Sequence, residues 1–275
     1  MKRDVGSYYD QTQNHYERWW GLNKSMALHY GIWDQTTHSF PDALRNTNQI
    51  LSAFGSISEG DHVLDAGCGV GGSCIYLAKE KSAIVKGITL SDKQVITGKR
   101  SVIKNHLQSR VEIFKMDFTK TTFNDHSFDV IWACESLSSL ESKPLFVREA
   151  HRILKPNGRL VIADFYRSKK ESSDLLEKWS KSWAMAELTT LHTLKTVLTD
   201  NGFVIHEERD YTKEIFKSSK RLYLASLIGK YPSMIYNVLF GASFYARNHY
   251  KSGIHQFKAL QKELWKYHIL HAEKR

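Results

Sequence analysis

Cysteine is scarce: Cys68, Cys74 and Cys134 are the three present, odd in number and widely spaced. Each lies in or beside an apolar stretch, the setting of reduced buried thiols, and neither a disulfide framework nor a metal-ligand spacing emerges from them. Long apolar runs are missing too. No uncharged segment reaches the ~20 apolar residues of a membrane span. The opening MKRDVGSYYDQ is charged and then polar where a secretory signal would need an apolar stretch. The expected location is therefore cytoplasmic. Repeats and low-complexity tracts are absent. Acidic residues are in deficit, 29 Asp and Glu against 39 Lys and Arg, for a formal net charge of +10. Such a balance can attract nucleic acid, anionic lipid or a phosphorylated substrate. Because the basic residues are spread along the chain, a Lys-rich solvated surface is the simpler account.

What is present is an ordinary globular composition, 41% hydrophobic and 25% charged with a mean hydropathy of -0.43. This excludes disorder, and 275 residues suit one enlarged α/β domain with a sizeable core. Strand and helix signals alternate, as a parallel sheet requires. HVLDAG (62–67), AIVKGITLS (83–91), VEIFKMDF (111–118), FDVIWACE (128–135) and RLVIADF (159–165) read as five strands. Helical stretches at 73–80, 92–106 and 144–154 separate them, and KPNG (155–158) reads as a turn before the fifth strand. A further helix ends at Asn201-Gly202, FVIHEERDY follows as a sixth strand, and LWKYHILHA (264–272) is a seventh.

VLDAGCGVGGS (63–73) places Gly67, Gly69 and Gly72 in G-x-G-x-x-G spacing. In dinucleotide-binding folds such a loop brings backbone N–H groups onto a pyrophosphate, but the glycines alone do not name the ligand. Asp65, two residues ahead of the first glycine, would repel a phosphate and welcome a cationic or hydroxyl-rich ligand. No Gly-Lys-Ser/Thr follows, so the loop is not of the Walker type. A strand, an acid, a glycine loop and a helix, with Asp117 ending the third strand, form a more specific order than the glycines do.

On these residues the chain resembles the class I S-adenosylmethionine-dependent methyltransferases, whose glycine motif VLDAGCGVGG matches, and the resemblance covers most of residues 60–165. It implies a doubly wound, mostly parallel seven-stranded sheet of Rossmann-like type, with an N-terminal helical lid and a helical insertion before the last strand. It also implies S-adenosylmethionine as cofactor, S-adenosylhomocysteine as product and no metal. Gly67 and Gly69 would give backbone contacts to the methionine and ribose portion, and Asp65 would anchor it. The usual acid ending the second strand is missing from KGITLSDKQ. That departure is similar to tocopherol, sterol-like and cyclopropane-forming relatives, where a Thr-Leu-Ser segment and a following glutamine contact the cofactor. Thr89, Leu90 and Gln94 inherit that expectation. Asp117 and Phe118 match the pair that recognises the adenine amino group and packs beside the ring; a strand-end Asp in a turn and a core Phe is the plainer account.

On the substrate side, WACESLSSL resembles a family segment often reading E-S-x-H-H-M, with Ser138 and Ser139 in place of the histidines. Losing a histidine base argues against ordinary base-assisted O-methylation. Glu135 remains, at a position that lies near the acceptor in several carbon-methylating relatives, where a carboxylate would lower the energy of a developing carbocation. A carboxylate holding backbone groups is its alternative role. Asp164 in VIADF matches a position that assists acceptors in some relatives. SYYDQTQNHYERWWGLNKSMALHYGIWD resembles the entry segment closing over the cofactor, making Tyr8, His29 and Tyr30 candidates to line the methyl-transfer chamber; Tyr8 is also a cofactor contact, and His29 and Tyr30 join Glu135 as catalytic candidates. Trp183 is a candidate pocket wall beside Asp164.

The expected organisation is a lid over 1–50, a cofactor-binding core over 51–212, a basic, apolar-rich insertion over 213–262 and a last strand with tail over 263–275. An oily substrate would explain the insertion as an apolar lid, a core-covering helix or a subunit interface explains it equally well, and a membrane-facing role stays open. The leading reading is carbon methylation of an isoprenoid, prenylated aromatic or quinol. Oxygen or nitrogen methylation of a natural product, or a non-methylating rearrangement by a cofactor-binding relative, is the alternative. Peripheral membrane contact and self-association stay open. Nucleic acid is not an expected partner, because Pro41, Pro144, Pro156 and Pro232 are never adjacent and the Asn/Asp-Pro-Pro-aromatic motif of amino-methylating enzymes cannot occur.

Overall fold

A computed structural model describes residues 4–15, 25–168, 173–240 and 244–275. The expected aromatic entry segment therefore falls partly outside the described residues, at 16–24.

Seven strands form one sheet: β1 His62–Ala66, β2 Ile84–Thr89, β3 Val111–Lys115, β4 Phe128–Cys134, β5 Leu154–Arg167, β6 Phe203–Asp210 and β7 Trp265–Lys274. Their order is β3-β2-β1-β4-β5-β7-β6, with β7 antiparallel to both neighbours and the β3-to-β5 half parallel. A sheet covered on both faces needs apolar side chains of both parities. The central strands supply them: Val63, Val85, Val130 and Trp132 pack on one side, and Leu64, Ile88, Ile131 and Ala133 on the other. That double covering is why these strands read as unbroken apolar runs.

The described helices are α1 Val5–His15, α2 Phe40–Phe54, α3 Gly72–Glu80, α4 Asp92–Lys104, α5 Lys143–Ile153, α6 Asp174–Ser182, α7 Leu191–Asp200, α8 Phe216–Phe240 and α9 Phe244–Gln261. Local chemistry sets several boundaries. Ser39, Ser91 and Thr190 accept backbone hydrogen bonds at the N-termini of α2, α4 and α7, and Pro41 sits in the first turn of α2. Gly202, at a φ of 83°, turns the chain from α7 into β6.

One expectation needs correcting. KPNG is not a turn preceding the fifth strand but a bulge within it: β5 begins at Leu154 opposite Phe128, and pairing resumes at Arg159 opposite Val130. Asn157, at a φ of 60°, absorbs the kink. Proline and asparagine signal irregular backbone in the sequence, but they do not say on which side of the irregularity pairing begins.

Candidate functional site

Strand order reverses between β1 and β4, the switch point where open α/β sheets bind ligands. The main cleft lies there. It holds about 1100 Å3, counting space open to solvent. Its walls come from the loop after β1, the 89–94 turn, residues 134–139 after β4, residues 26–29, and Phe165, Trp183 and Met185.

The glycine loop is shaped against a phosphate. The N–H groups of Gly67 and Cys68 both donate to the Ile88 carbonyl, at 3.0 and 2.9 Å. These two donors are spent, and Gly67 can offer only its carbonyl, an acceptor suited to a cation. The N-terminus of α3 is also covered: a Cβ on Gly72 would lie 2.1 Å from the Met26 carbonyl oxygen. Gly67 itself adopts a φ of 106°, and a Cβ there would meet Ser136 at 2.5 Å. A carbonyl oxygen thus lies close to the start of the helix, where an anion would otherwise sit.

Asp65 completes this acidic end. It is 2% exposed, accepts a hydrogen bond from the Cys74 thiol at 3.3 Å, and burial raises its pKa to about 7 against that weak bond. At the edge of the cleft, Thr89 donates to the Gln94 side-chain carbonyl, which leaves the Gln94 amide NH2 as its group for a ligand. Leu90 and Phe118 line the same region, and Phe118 is fixed edge-on to Phe146. The buried Ser136 hydroxyl has no partner among the described residues. These groups fit a ligand with a positive end, hydroxyls and a flat ring. Asp65 and the Gly67 carbonyl would hold the sulfonium-bearing amino-acid portion of S-adenosylmethionine, while Leu90, Gln94 and Phe118 would hold its nucleoside.

α1 covers this edge. Asp10 accepts from the Ser91 hydroxyl and, through its backbone carbonyl, from Lys93, while Gln13 donates to Thr97 at 3.2 Å. Gly6 lets the helix come close, since a Cβ there would lie 2.7 Å from the Leu90 carbonyl.

The other end of the cleft carries Glu135. It adopts a φ of 52°, uncommon for a non-glycine residue, as the chain leaves β4. Its Oε1 accepts from the Tyr30 N–H at 2.8 Å and the Tyr267 hydroxyl at 2.9 Å. Burial pushes its pKa well above the usual carboxylate range; those two bonds oppose the shift and the nearby Asp164 charge adds to it. His29 lies beside it in the lining. Its Nδ1 is 2.9 Å from the Tyr30 carbonyl oxygen, which can only accept, so Nδ1 carries the proton and Nε2 the lone pair. That Nε2 is buried without a partner among the described residues, and burial lowers the imidazole pKa.

Asp65, Gly67, Gly69, Thr89, Leu90, Gln94, Phe118, Glu135, His29 and Trp183 are thus brought together in one lining. Four other candidates lie outside it. Tyr8 is fully buried edge-on to Tyr9 and Tyr245, while Val5 and Tyr9 face the cleft. Tyr30 backs the wall, edge-on to Phe165 at 5.4 Å. Asp117 is exposed and accepts from the Thr119 N–H and hydroxyl, the strand-end turn. Asp164 accepts from the Ser138 and Phe165 N–H groups and borders a smaller pocket with Lys143 and Tyr166; burial raises its pKa to about 6. Residues 26–28, Ser136, Phe165 and Met185 belong to the lining although the motifs did not single them out. Ser136 and Phe165 adjoin residues that were, so strand-end alternation was the available signal. Among the described residues no group of three His, Cys, Asp or Glu could hold a metal ion.

Residues 64–162 match the methyltransferase domain family. The 27-O-demethylrifamycin SV methyltransferase of Amycolatopsis mediterranei is 33% identical over 59% of this chain and 58% of its own length. The chloroplastic tocopherol O-methyltransferase of Arabidopsis thaliana is 27% identical over 66% of this chain and 55% of its own. The chain thus spans somewhat over half the length of these relatives. The crystal structure of the [4+2]-cyclase SpnF has the same fold, with a TM-score of 0.83 at 21% identity over 99% of this chain and 95% of that one.

Proposed function

We propose that the chain is a class I S-adenosylmethionine-dependent methyltransferase, as its match to the methyltransferase domain family and its similarity to a methyltransferase relative support, and that it methylates a lipophilic small molecule, with carbon as the leading acceptor. The observation that carries this reading is Glu135, anchored through Oε1 in a lining that also holds the apolar Phe165, Trp183 and Met185 beside His29 and Ser136.

The bound cofactor supplies an electrophilic methyl group. Phe165, Trp183 and Met185 exclude water and position an apolar acceptor, and positioning is the larger part of catalysis for such a transfer. When an alkene carbon becomes bonded to the methyl group, the acceptor acquires positive charge. Glu135 favours that charge once ionised, because its hydrogen-bond donors are already in place and need no reorganisation. The acceptor regains neutrality by losing a proton, for which His29 Nε2 is an available lone pair.

The same His29 favours a second reading. For a hydroxyl acceptor, Nε2 would take the O–H proton as the new C–O bond forms, so the base missing at Ser138 and Ser139 would come from the N-terminal segment instead. Two relatives whose names state O-methyl chemistry support this reading. A non-methylating rearrangement draws support only from the cyclase, whose likeness is one of fold.

Methyl-labelled cofactor, with the product located by mass spectrometry and NMR, tests both readings. Carbon labelling is expected, with Glu135→Gln lowering kcat about tenfold or more while cofactor affinity stays within about twofold. Label on oxygen, with Glu135→Gln active and His29→Ala inactive, would replace the leading reading by the second. No release of S-adenosylhomocysteine with any acceptor would overturn both.

A further inference from the structure

α8 packs Phe216 and Tyr223 on Phe257 of α9 and turns Leu222 to the core. Between these contacts the seam is small and polar: Ser219 donates to Gln256, and a Cβ on Gly253 would lie 2.1 Å from the Ser226 hydroxyl, so the two helices approach closely there. Four further apolar residues face outward. Leu224, Leu227, Ile228 and Tyr231 follow the i, i+3, i+4, i+7 spacing of one helical stripe. Ile228 is 68% exposed and Tyr231 67%. A globular surface helix normally keeps its outer face polar, so this stripe calls for an apolar environment outside the described fold.

The same stripe continues toward the N-terminus of α8 as Lys217, Lys220 and Arg221, all exposed. Lys217 lies over the Trp33 ring and Arg221 over the Phe40 ring, at 5.1 and 4.7 Å, which hold their charges at this face. Residues 215–262 contain eight Lys and Arg and no Asp or Glu. The basic surplus is therefore concentrated here, contrary to the expectation of an evenly spread surface.

We propose that this face of α8 lies on the surface of an anionic lipid bilayer, with Leu224, Leu227, Ile228 and Tyr231 entering the interface and Lys217, Lys220 and Arg221 meeting headgroup charge. Apolar residues beside an uninterrupted positive field are the pattern of a helix that rests in the plane of a membrane. No helix among the described residues is long and apolar enough to cross one. A second copy of the chain would set the same positive field against itself, which disfavours self-association through this face. Nucleic acid would gain nothing from the exposed leucine and isoleucine.

Docking also has a structural route to the cleft. The Gly31 N–H donates to the Ser218 hydroxyl at 3.1 Å, and that hydroxyl donates back to the Gly31 carbonyl at 2.7 Å. The first turn of α8 is thereby fastened two residues from His29. The inference stands on exposure and charge and does not depend on which atom is methylated.

Flotation of the full chain with phosphatidylcholine vesicles, with and without phosphatidylserine, tests it. Binding is expected only with phosphatidylserine, weakening as salt rises. Leu224→Ser with Ile228→Ser, and separately Lys217→Gln with Lys220→Gln, should each lower the bound fraction about tenfold. Circular dichroism and cofactor affinity should stay unchanged. Failure to float, equal binding to neutral vesicles, or wild-type binding by both variants would overturn the proposal. So would a homodimer, or a complex with an acidic protein, that the same variants dissolve in place of lipid binding.

Discussion

Asp65 faces two opposed demands. Binding a positive ligand calls for a carboxylate, whereas a site 2% exposed with a single thiol donor favours the neutral acid. Its folded pKa of about 7 lies above the ordinary value of 3.8. Between those values the unfolded chain has released this proton while the folded, ligand-free protein keeps it. Stability from this group therefore falls as pH rises through that window, levels off above about 7, and is fully retained below 3.8. The whole shift corresponds to about 4 kcal/mol at most. Asp65→Asn should remove the fall, so that thermal unfolding of wild type and variant diverges from pH 4 to 8, with the variant relatively more stable at the alkaline end. Parallel melting curves across that range would mean that the carboxyl is already ionised in the empty protein. The motif reading singled out Asp65 because an acid ahead of Gly67 is visible as residue order. It did not reach the spent N–H groups of Gly67 and Cys68, which depend on the Ile88 carbonyl arriving from another strand.

At the scale of elements, the site depends on how closely residues 25–28 approach the start of α3. Gly72 sets that approach, since a Cβ would lie 2.1 Å from the Met26 carbonyl oxygen and 3.1 Å from the Met26 Cβ. Backbone cannot yield as a flexible side chain can, so Gly72→Ala should push residues 26–29 out of the cleft wall. The expected cost is about 1–3 kcal/mol of stability, with a matching loss of cofactor affinity by calorimetry. Unchanged affinity would show that this segment does not hold the cofactor. None of this was legible from G-x-G-x-x-G alone, which marks Gly72 as a helix-packing residue without naming what packs on it. The strands were legible because burial on both faces makes them continuous apolar runs. Tyr8 and Tyr9 show where that reading stops: adjacent aromatics on a helix lie about 100° apart. Only the packing of α1 on α4 and α9 shows that Tyr9 turns to the cleft and Tyr8 to Tyr245.

Over the whole molecule, charge is divided unusually. Against a formal net charge of +10, the chain places two acids, Asp65 and Glu135, in one cleft, and burial raises the pKa of both. A cationic cofactor meets overall repulsion at a distance and attraction only at the site. Once bound, its positive charge favours the ionised form of each carboxyl, so binding and deprotonation are linked. Cofactor binding should release protons and tighten as pH rises toward about 7, the value to which burial lifts Asp65, by at most about tenfold per pH unit for each proton released. Calorimetry in buffers of different ionisation enthalpy measures that proton count directly. Asp65→Asn should lower the count and flatten the slope. If binding moved no protons at pH 6.5 and affinity stayed constant across the range, neither carboxyl would be answering the charge of the cofactor.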